Sequence, residues 1–262
     1  MSATLTVDLG NTRCKLCLWS EAGGTMASVA FASELVRVSE LEGWLASHPR
    51  PGVGAIASVA SDETRDRWER ALTPRCEAWL GTPEHGLVNR CDDPETVGVD
   101  RLFAARGAFE LARRSCLVID AGTALTVDVL RVQAQRAAGR ELPPLPEFLG
   151  GAIAPGPELL ARALARGGAR LPLVEPRPAA PALGRHTRAA LQAGIAVGFA
   201  GAARELARRV AEEAGLGSED PIFLTGGARG FLTGNGLFAS APREVPELVQ
   251  LGLCHAAREA TA

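Results

Sequence analysis

Two short segments of this chain repeat one pattern: an apolar run, an Asp-x-Gly turn, then a second run of strand-forming residues. Thr4 to Val7 enters Asp8-Leu9-Gly10-Asn11-Thr12 and leaves through Arg13 to Ser20. Cys116-Leu117-Val118-Ile119 enters Asp120-Ala121-Gly122-Thr123-Ala124 and leaves through Leu125 to Val132. Each reads as a β-hairpin around a turn rich in small and polar residues. The two copies lie too far apart for a solenoid repeat, so the pattern implies two related domains, 1–115 and 116–262.

Between and after the hairpins, strands alternate with helices, the mark of an α/β protein. Val53 to Val59 reads as a buried strand, followed by a charged helix capped by Ser61. Val99 to Arg114 reads as an amphipathic helix with Leu102, Phe103, Ala105 and Phe109 inward. Gln133 to Glu147 reads as a surface excursion from the second hairpin. Gly150 to Gly156 is a glycine-rich strand and turn, and the helix from Pro157 to Ala165 opens with proline. Leu171 to Pro181 is extended and irregular. Thr187 to Ala214 forms a long helix whose Gly194, Gly198 and Gly201 permit close approach of another backbone. Ile222-Phe223-Leu224 is a strand ending in Thr225-Gly226-Gly227, and Pro246 to Glu259 is a final helix.

Composition narrows the function. A 262-residue chain that is 47% hydrophobic with net charge −2 buries a real core and offers no basic footprint for nucleic acid. No apolar stretch reaches the ~20 residues that span a bilayer. The N-terminus lacks the basic and apolar segments of a secretory signal, so a cytoplasmic protein without membrane or nucleic-acid partners is expected. Cys14 and Cys17 have CxxC spacing, but on a strand that spacing points the thiols to opposite faces, as expected of small buried residues rather than a zinc or redox pair. P-loop, dinucleotide-binding, zincin and nucleophile-elbow motifs do not occur.

The Asp-x-Gly-Asn-Thr turn suits a phosphate. Gly10 lets the backbone approach an anion, and Asn11, Thr12 and successive amides donate to its oxygens. Asp8 needs a cation between itself and that anion, and Mg²⁺ is the usual bridge. Lys15, the only lysine of the chain, supplies a point charge to a β- or γ-phosphate. In Gly98-Val99-Asp100-Arg101, an acid at a helix start stays ionised and the adjacent arginine can grip a carboxylate. Together they suit phosphoryl transfer to a hydroxyl of a small acid.

The segments Asp8-Leu9-Gly10-Asn11-Thr12-Arg13-Cys14-Lys15, Gly98 to Arg101, Asp120 to Ala124, Gly150 to Gly156 and Thr187-x-x-Ala190-Leu191-Gln192-Ala193-Gly194 resemble, in order, those of type III pantothenate kinases. The resemblance covers about residues 4 to 230. It implies two ribonuclease H-like domains of the actin-like ATPase and sugar kinase superfamily, with ATP in the interdomain cleft, and a homodimer with pantothenate near the subunit interface. It further implies that Asp8, Leu9, Gly10, Asn11, Thr12, Arg13, Cys14, Lys15 and Thr123 bind ATP. Asp100 would be the proton acceptor. Gly98, Val99, Asp100, Arg101 and Thr187 would meet pantothenate, and Asp120 would hold a monovalent cation, K⁺ or NH₄⁺. One departure stands out: Cys91 occupies a position where the family usually has a substrate-contacting tyrosine. The alternatives are another small-molecule kinase or phosphatase of the superfamily, or a regulatory homologue without catalysis.

Overall fold

Alternating aliphatic and β-branched residues build the first strand, β1 (Thr4–Leu9), whose six side chains are all buried. The computed structural model describes residues 3–34, 38–137, 140–234 and 236–262. The chain divides into two compact units: Met1–Leu111 with Glu247–Ala262, and Ala112–Pro246.

In the first unit, β1 pairs antiparallel with β2 (Arg13–Trp19), which pairs antiparallel with β3 (Thr25–Ala32). Past α1 (Val38–Ala46), β4 (Val53–Ser58) lies parallel to β1 on its other side. Beyond α2 (Asp62–Leu72), β5 (Ala78–Trp79) completes the order β3-β2-β1-β4-β5. Ser61 caps α2 as expected, its hydroxyl accepting from the Thr64 amide. After β6 (Val88–Asn89), α3 (Val99–Ala112) follows.

The second unit repeats this order. β7 (Cys116–Ala121), β8 (Ala124–Ala137) and β9 (Arg140–Pro155) form an antiparallel meander. After α4 (Pro157–Gly167) and α5 (Thr187–Glu213), β10 (Ile222–Thr225) pairs parallel with β7 and β11 (Arg243–Glu244) with β10. Its strands therefore run β9-β8-β7-β10-β11, the same arrangement as the first five. The duplication expected from the two hairpins is present, in the ribonuclease H-like order that the family resemblance implies. One aliphatic core, with Leu125, Val127 and Val129, fills beneath Phe199 and Ala203 of α5.

Four features differ from the sequence reading. The final helix, α6 (Leu248–Glu259), belongs to the first unit although the linear division put it with 116–262. It packs on β1 and β4, and Arg258 donates to the Ser20 carbonyl at 2.6 Å. The surface excursion read from Gln133 to Glu147 is made of regular strand, the outer part of the β8–β9 hairpin. β8 and β9 stay paired out to Ala137 and Arg140, residues 138 and 139 lying outside the described set. Helix α3 is not amphipathic, because every residue from Leu102 to Phe109 is buried, Arg106 included. Finally, a Cβ on Gly194, Gly198 or Gly201 would meet no described atom within 4 Å, so the close approach these glycines permit is not made by any described backbone.

The cysteines behave as expected. Cys14 joins the core of Leu5, Leu16 and Trp68, while Cys17 on the other face packs with Trp19 and Cys254. Burial pushes the Cys17 thiol up to about 12, and Cys254 up to about 11, so neither is a thiolate at neutral pH.

Candidate functional site

The first turn sits where β1 ends. Strand register sets Asp8 opposite Lys15, and Lys15 Nζ lies 3.1 Å from Asp8 Oδ2. Gly10 N–H closes the turn on the Arg13 carbonyl at 3.0 Å, leaving Asn11 and Thr12 exposed. Leu9 and Cys14 turn their side chains wholly into the core, so only their backbone remains for a ligand. A buried serine that the sequence reading passed over fixes the turn from behind. Ser33 Oγ donates to the Gly10 carbonyl at 2.6 Å, its N–H donates to the Thr12 carbonyl at 3.1 Å, and its own carbonyl accepts from Trp68 Nε1 at 2.9 Å. No local pattern marks Ser33, because its partners are remote in sequence.

The Gly98-Val99-Asp100-Arg101 segment starts α3 at the same end of this sheet. Leu9 and Ser58 are register partners at the carboxyl ends of β1 and β4, Val59 donates to the Leu9 carbonyl, and a Cβ on Gly98 would lie 3.5 Å from Val59 Cγ1. Asp100 Oδ1 accepts from the Arg101 amide at 2.8 Å and lies 2.6 Å from where a Gly98 Cβ would be. The carboxylate thus folds over a glycine that has no side chain to displace it. The positive end of α3 favours its ionised form. The first unit therefore gathers Asp8, Lys15 and the Asp100 segment around the carboxyl ends of two neighbouring strands. Cys91 is half-buried, its amide donating to Asn89 Oδ1 at 3.1 Å.

The second unit carries the matching turn. Gly122 N–H donates to the Ala124 carbonyl at 2.9 Å, as Gly10 does to Arg13. Asp120 Oδ1 lies 3.3 Å from a Cβ position on Gly122 and 2.4 Å from one on Gly226, whose φ is +92°. Only glycine fits there: any side chain would strike the Asp120 carboxylate and the Ala121 carbonyl. Thr123 is exposed at the turn and its carbonyl accepts from Gly156, the residue just before α4. Thr187 is the exposed first residue of α5, and His186, not Thr187, caps that helix through Nδ1 and the Ala189 amide.

The donor set fits a magnesium-bound phosphate. A lysine and a tight turn with exposed Asn11 and Thr12 stand beside the Asp8 carboxylate. Among the described residues no group of three or more His, Cys, Asp or Glu side chains could enclose a metal. A hard cation beside Asp8 would have to take its remaining ligands from phosphate oxygens and water, which suits Mg²⁺.

The type III pantothenate kinase profile matches residues 4–209. This chain belongs to the type III pantothenate kinase family. A type III pantothenate kinase from Halorhodospira halophila is 35% identical, the alignment covering 97% of each chain. Another from Aromatoleum aromaticum is 35% identical over 98% of this chain and 99% of its own. Among solved structures, the ethanolamine utilization protein EutJ from Carboxydothermus hydrogenoformans superposes with a TM-score of 0.51 at 14% identity. That match covers 97% of this chain and 89% of the other, a likeness of fold alone. That likeness agrees with an α/β fold built of two similarly ordered sheets.

Proposed function

We propose that this family member transfers the γ-phosphoryl group of ATP to the primary hydroxyl of pantothenate, giving 4'-phosphopantothenate, the first step of coenzyme A biosynthesis. The observation that carries the reading is the gathering of the Asp8–Lys15 pair and Asp100 at the carboxyl ends of β1 and β4.

In this reading the turn from Asp8 to Lys15 cradles the ATP phosphates through backbone amides and the Asn11 and Thr12 side chains. Lys15 is already poised in charge contact with Asp8 and swings to a phosphate oxygen. Bound Mg²⁺ supplies positive charge to the transferring phosphoryl group, and Asp8 anchors it directly or through water. Asp100 accepts the proton of the pantothenate hydroxyl as the oxygen attacks phosphorus. Arg101 engages the pantothenate carboxylate, with Gly98, Val99 and Thr187 completing the pocket. Asp120, pressed between two glycine turns, holds the monovalent cation, K⁺ or NH₄⁺, and Thr123 contacts ATP.

The same reading makes the protein cytoplasmic and homodimeric. Among the described residues no helix is long and apolar enough to cross a membrane. The open glycine face of α5, beside an exposed Val197, gives a second copy a surface to pack on. Sedimentation at equilibrium reads the assembly.

A coupled assay with ATP, Mg²⁺, K⁺ and pantothenate tests the activity. Pantothenate-dependent ADP release is the expected result. Release no greater than in the pantothenate-free blank, or faster with a sugar or acetate, overturns it.

A further inference from the structure

Gln250 lies in the first turn of α6, far along the chain from every motif described above, and is 3% exposed. Its Nε2 donates to the backbone carbonyl of Lys15 at 2.7 Å. Its Oε1 is buried with no hydrogen-bond partner among the described residues. The carbonyl acceptor fixes which way the amide faces, since the flipped amide would set two oxygens against each other. A buried amide that leaves its acceptor unmatched is destabilising by itself. A leucine of similar size would fill the space without that penalty, so the amide is not explained by packing.

Two residues further along, the same turn of α6 meets α3. A Cβ on Gly252 would fall 2.0 Å from the Phe103 carbonyl oxygen, and one on Gly107 2.2 Å from the Leu248 carbonyl oxygen. The two backbones are therefore in contact. One stretch of α6 thus touches both the strand that carries Lys15 and the helix that carries Asp100 in its first turn.

We propose that Gln250 is a positioning residue for ATP binding: its amide anchors β2 at Lys15 and so fixes where the lysine ammonium stands beside Asp8. The inference rests on the reading of Lys15 as a phosphate ligand. Lys15 is already held by pairing with Asp8 on one side and Ala30 on the other, so loss of the amide leaves the sheet intact and changes only the play at this residue. Gln250 touches no substrate and acts through the lysine alone.

The test compares Gln250→Leu, Gln250→Glu and Lys15→Met in affinity for Mg²⁺ and a nonhydrolysable ATP analogue by calorimetry, with steady-state kinetics and thermal midpoints alongside. Gln250→Leu is expected to weaken analogue binding and raise the ATP KM roughly three- to tenfold, the scale of one hydrogen bond. Its pantothenate KM and thermal midpoint should hold. Gln250→Glu carries a carboxyl whose O–H donates to the Lys15 carbonyl only while protonated. Its analogue affinity relative to wild type should therefore fall as pH rises through the titration of that carboxyl. Unchanged analogue affinity in Gln250→Leu beside a weakened Lys15→Met overturns the positioning role. So does a Gln250→Glu affinity ratio that is flat with pH, which keeps the test alive if the leucine variant does not fold. Unchanged affinity in Lys15→Met instead overturns the phosphate role of Lys15, and this inference with it.

Discussion

Gly107 and Gly252 bring α3 and α6 together so closely that a Cβ on either would overlap the other helix's backbone. Backbone on both sides means no side chain can swing away to make room. Gly252→Ala is expected to lower the thermal midpoint by about 3–10 °C, since overpacking costs about 1–3 kcal/mol in a chain of this size. Gly43→Ala, in α1 with nothing within 4 Å of its Cβ position, should raise it slightly by favouring helix. Calorimetric scans of both variants check the contrast; a Gly252→Ala midpoint equal to wild type would show that the crossing is looser than described.

The two hairpins were legible because their signals are local. Strand periodicity, a glycine at the turn and an acid before it all fall within a dozen residues, and the repeat then gave the duplicated topology. What escaped depends on distant partners. Arg106 lies in a helix expected to be amphipathic, yet it is buried: its Nε donates to Glu110 at 2.7 Å, its Nη1 to the His85 carbonyl at 3.1 Å, and its Nη2 to Glu259. Satisfied in this way, a guanidinium can be buried, and the helix that holds it is covered all round. Ser33 and Gln250 escaped for the same reason, each a lone polar residue whose role is set by a carbonyl far along the chain.

Of the six cysteines only Cys91 is not buried. Burial drives the thiols of Cys76 and Cys116 up to about 11 and about 12, which removes the reactive thiolate as well as access. Brief alkylation of the native protein should therefore mark Cys91 alone, while the unfolded chain takes label at all six. If Cys91 stands where relatives use a tyrosine on substrate, pantothenate should slow that labelling. Peptide mass mapping decides both points, and rapid labelling of Cys14 or Cys17 would contradict the packing.

Two histidines link stability to pH. Burial lowers the pKa of His255 below its ordinary 6.5; Glu110 opposes this, Arg106 and Arg258 reinforce it, and Glu259 opposes it. Burial likewise lowers His85, with Glu84 opposing and Arg106 reinforcing. A lowered histidine pKa means the unfolded chain binds more protons than the native one just below pH 6.5. Stability from these groups is thus present above pH 6.5 and lost as pH falls through the lowered values. The thermal midpoint should drop between pH 7 and pH 5. His255→Gln, which keeps a donor toward Glu110, should shrink that drop; an unaltered pH profile would remove His255 as a cause.

The sharpest separation of roles concerns Asp100 and its neighbour Gly98. Asp100→Asn keeps the shape and the contact to the Arg101 amide but removes the proton acceptor, so kcat should fall by ~10²–10⁴. Affinity for an ATP analogue should stay near wild type, because the phosphate turn is built by other residues. Gly98→Ala retains the acid but displaces it, its Cβ lying 2.6 Å from Asp100 Oδ1. The obstructing atom is the end of a side chain, so rotation about χ relieves the clash at little cost in stability. Catalysis has no such freedom, since a proton acceptor must stay within about 3 Å of the hydroxyl it serves. Gly98→Ala should therefore lose kcat at least tenfold while its thermal midpoint stays within a few degrees of wild type. Single-turnover rates with saturating ATP and pantothenate, read beside thermal scans, make the comparison. An Asp100→Asn enzyme that retains more than about a tenth of wild-type kcat would return Asp100 to the role of a helix-start acid.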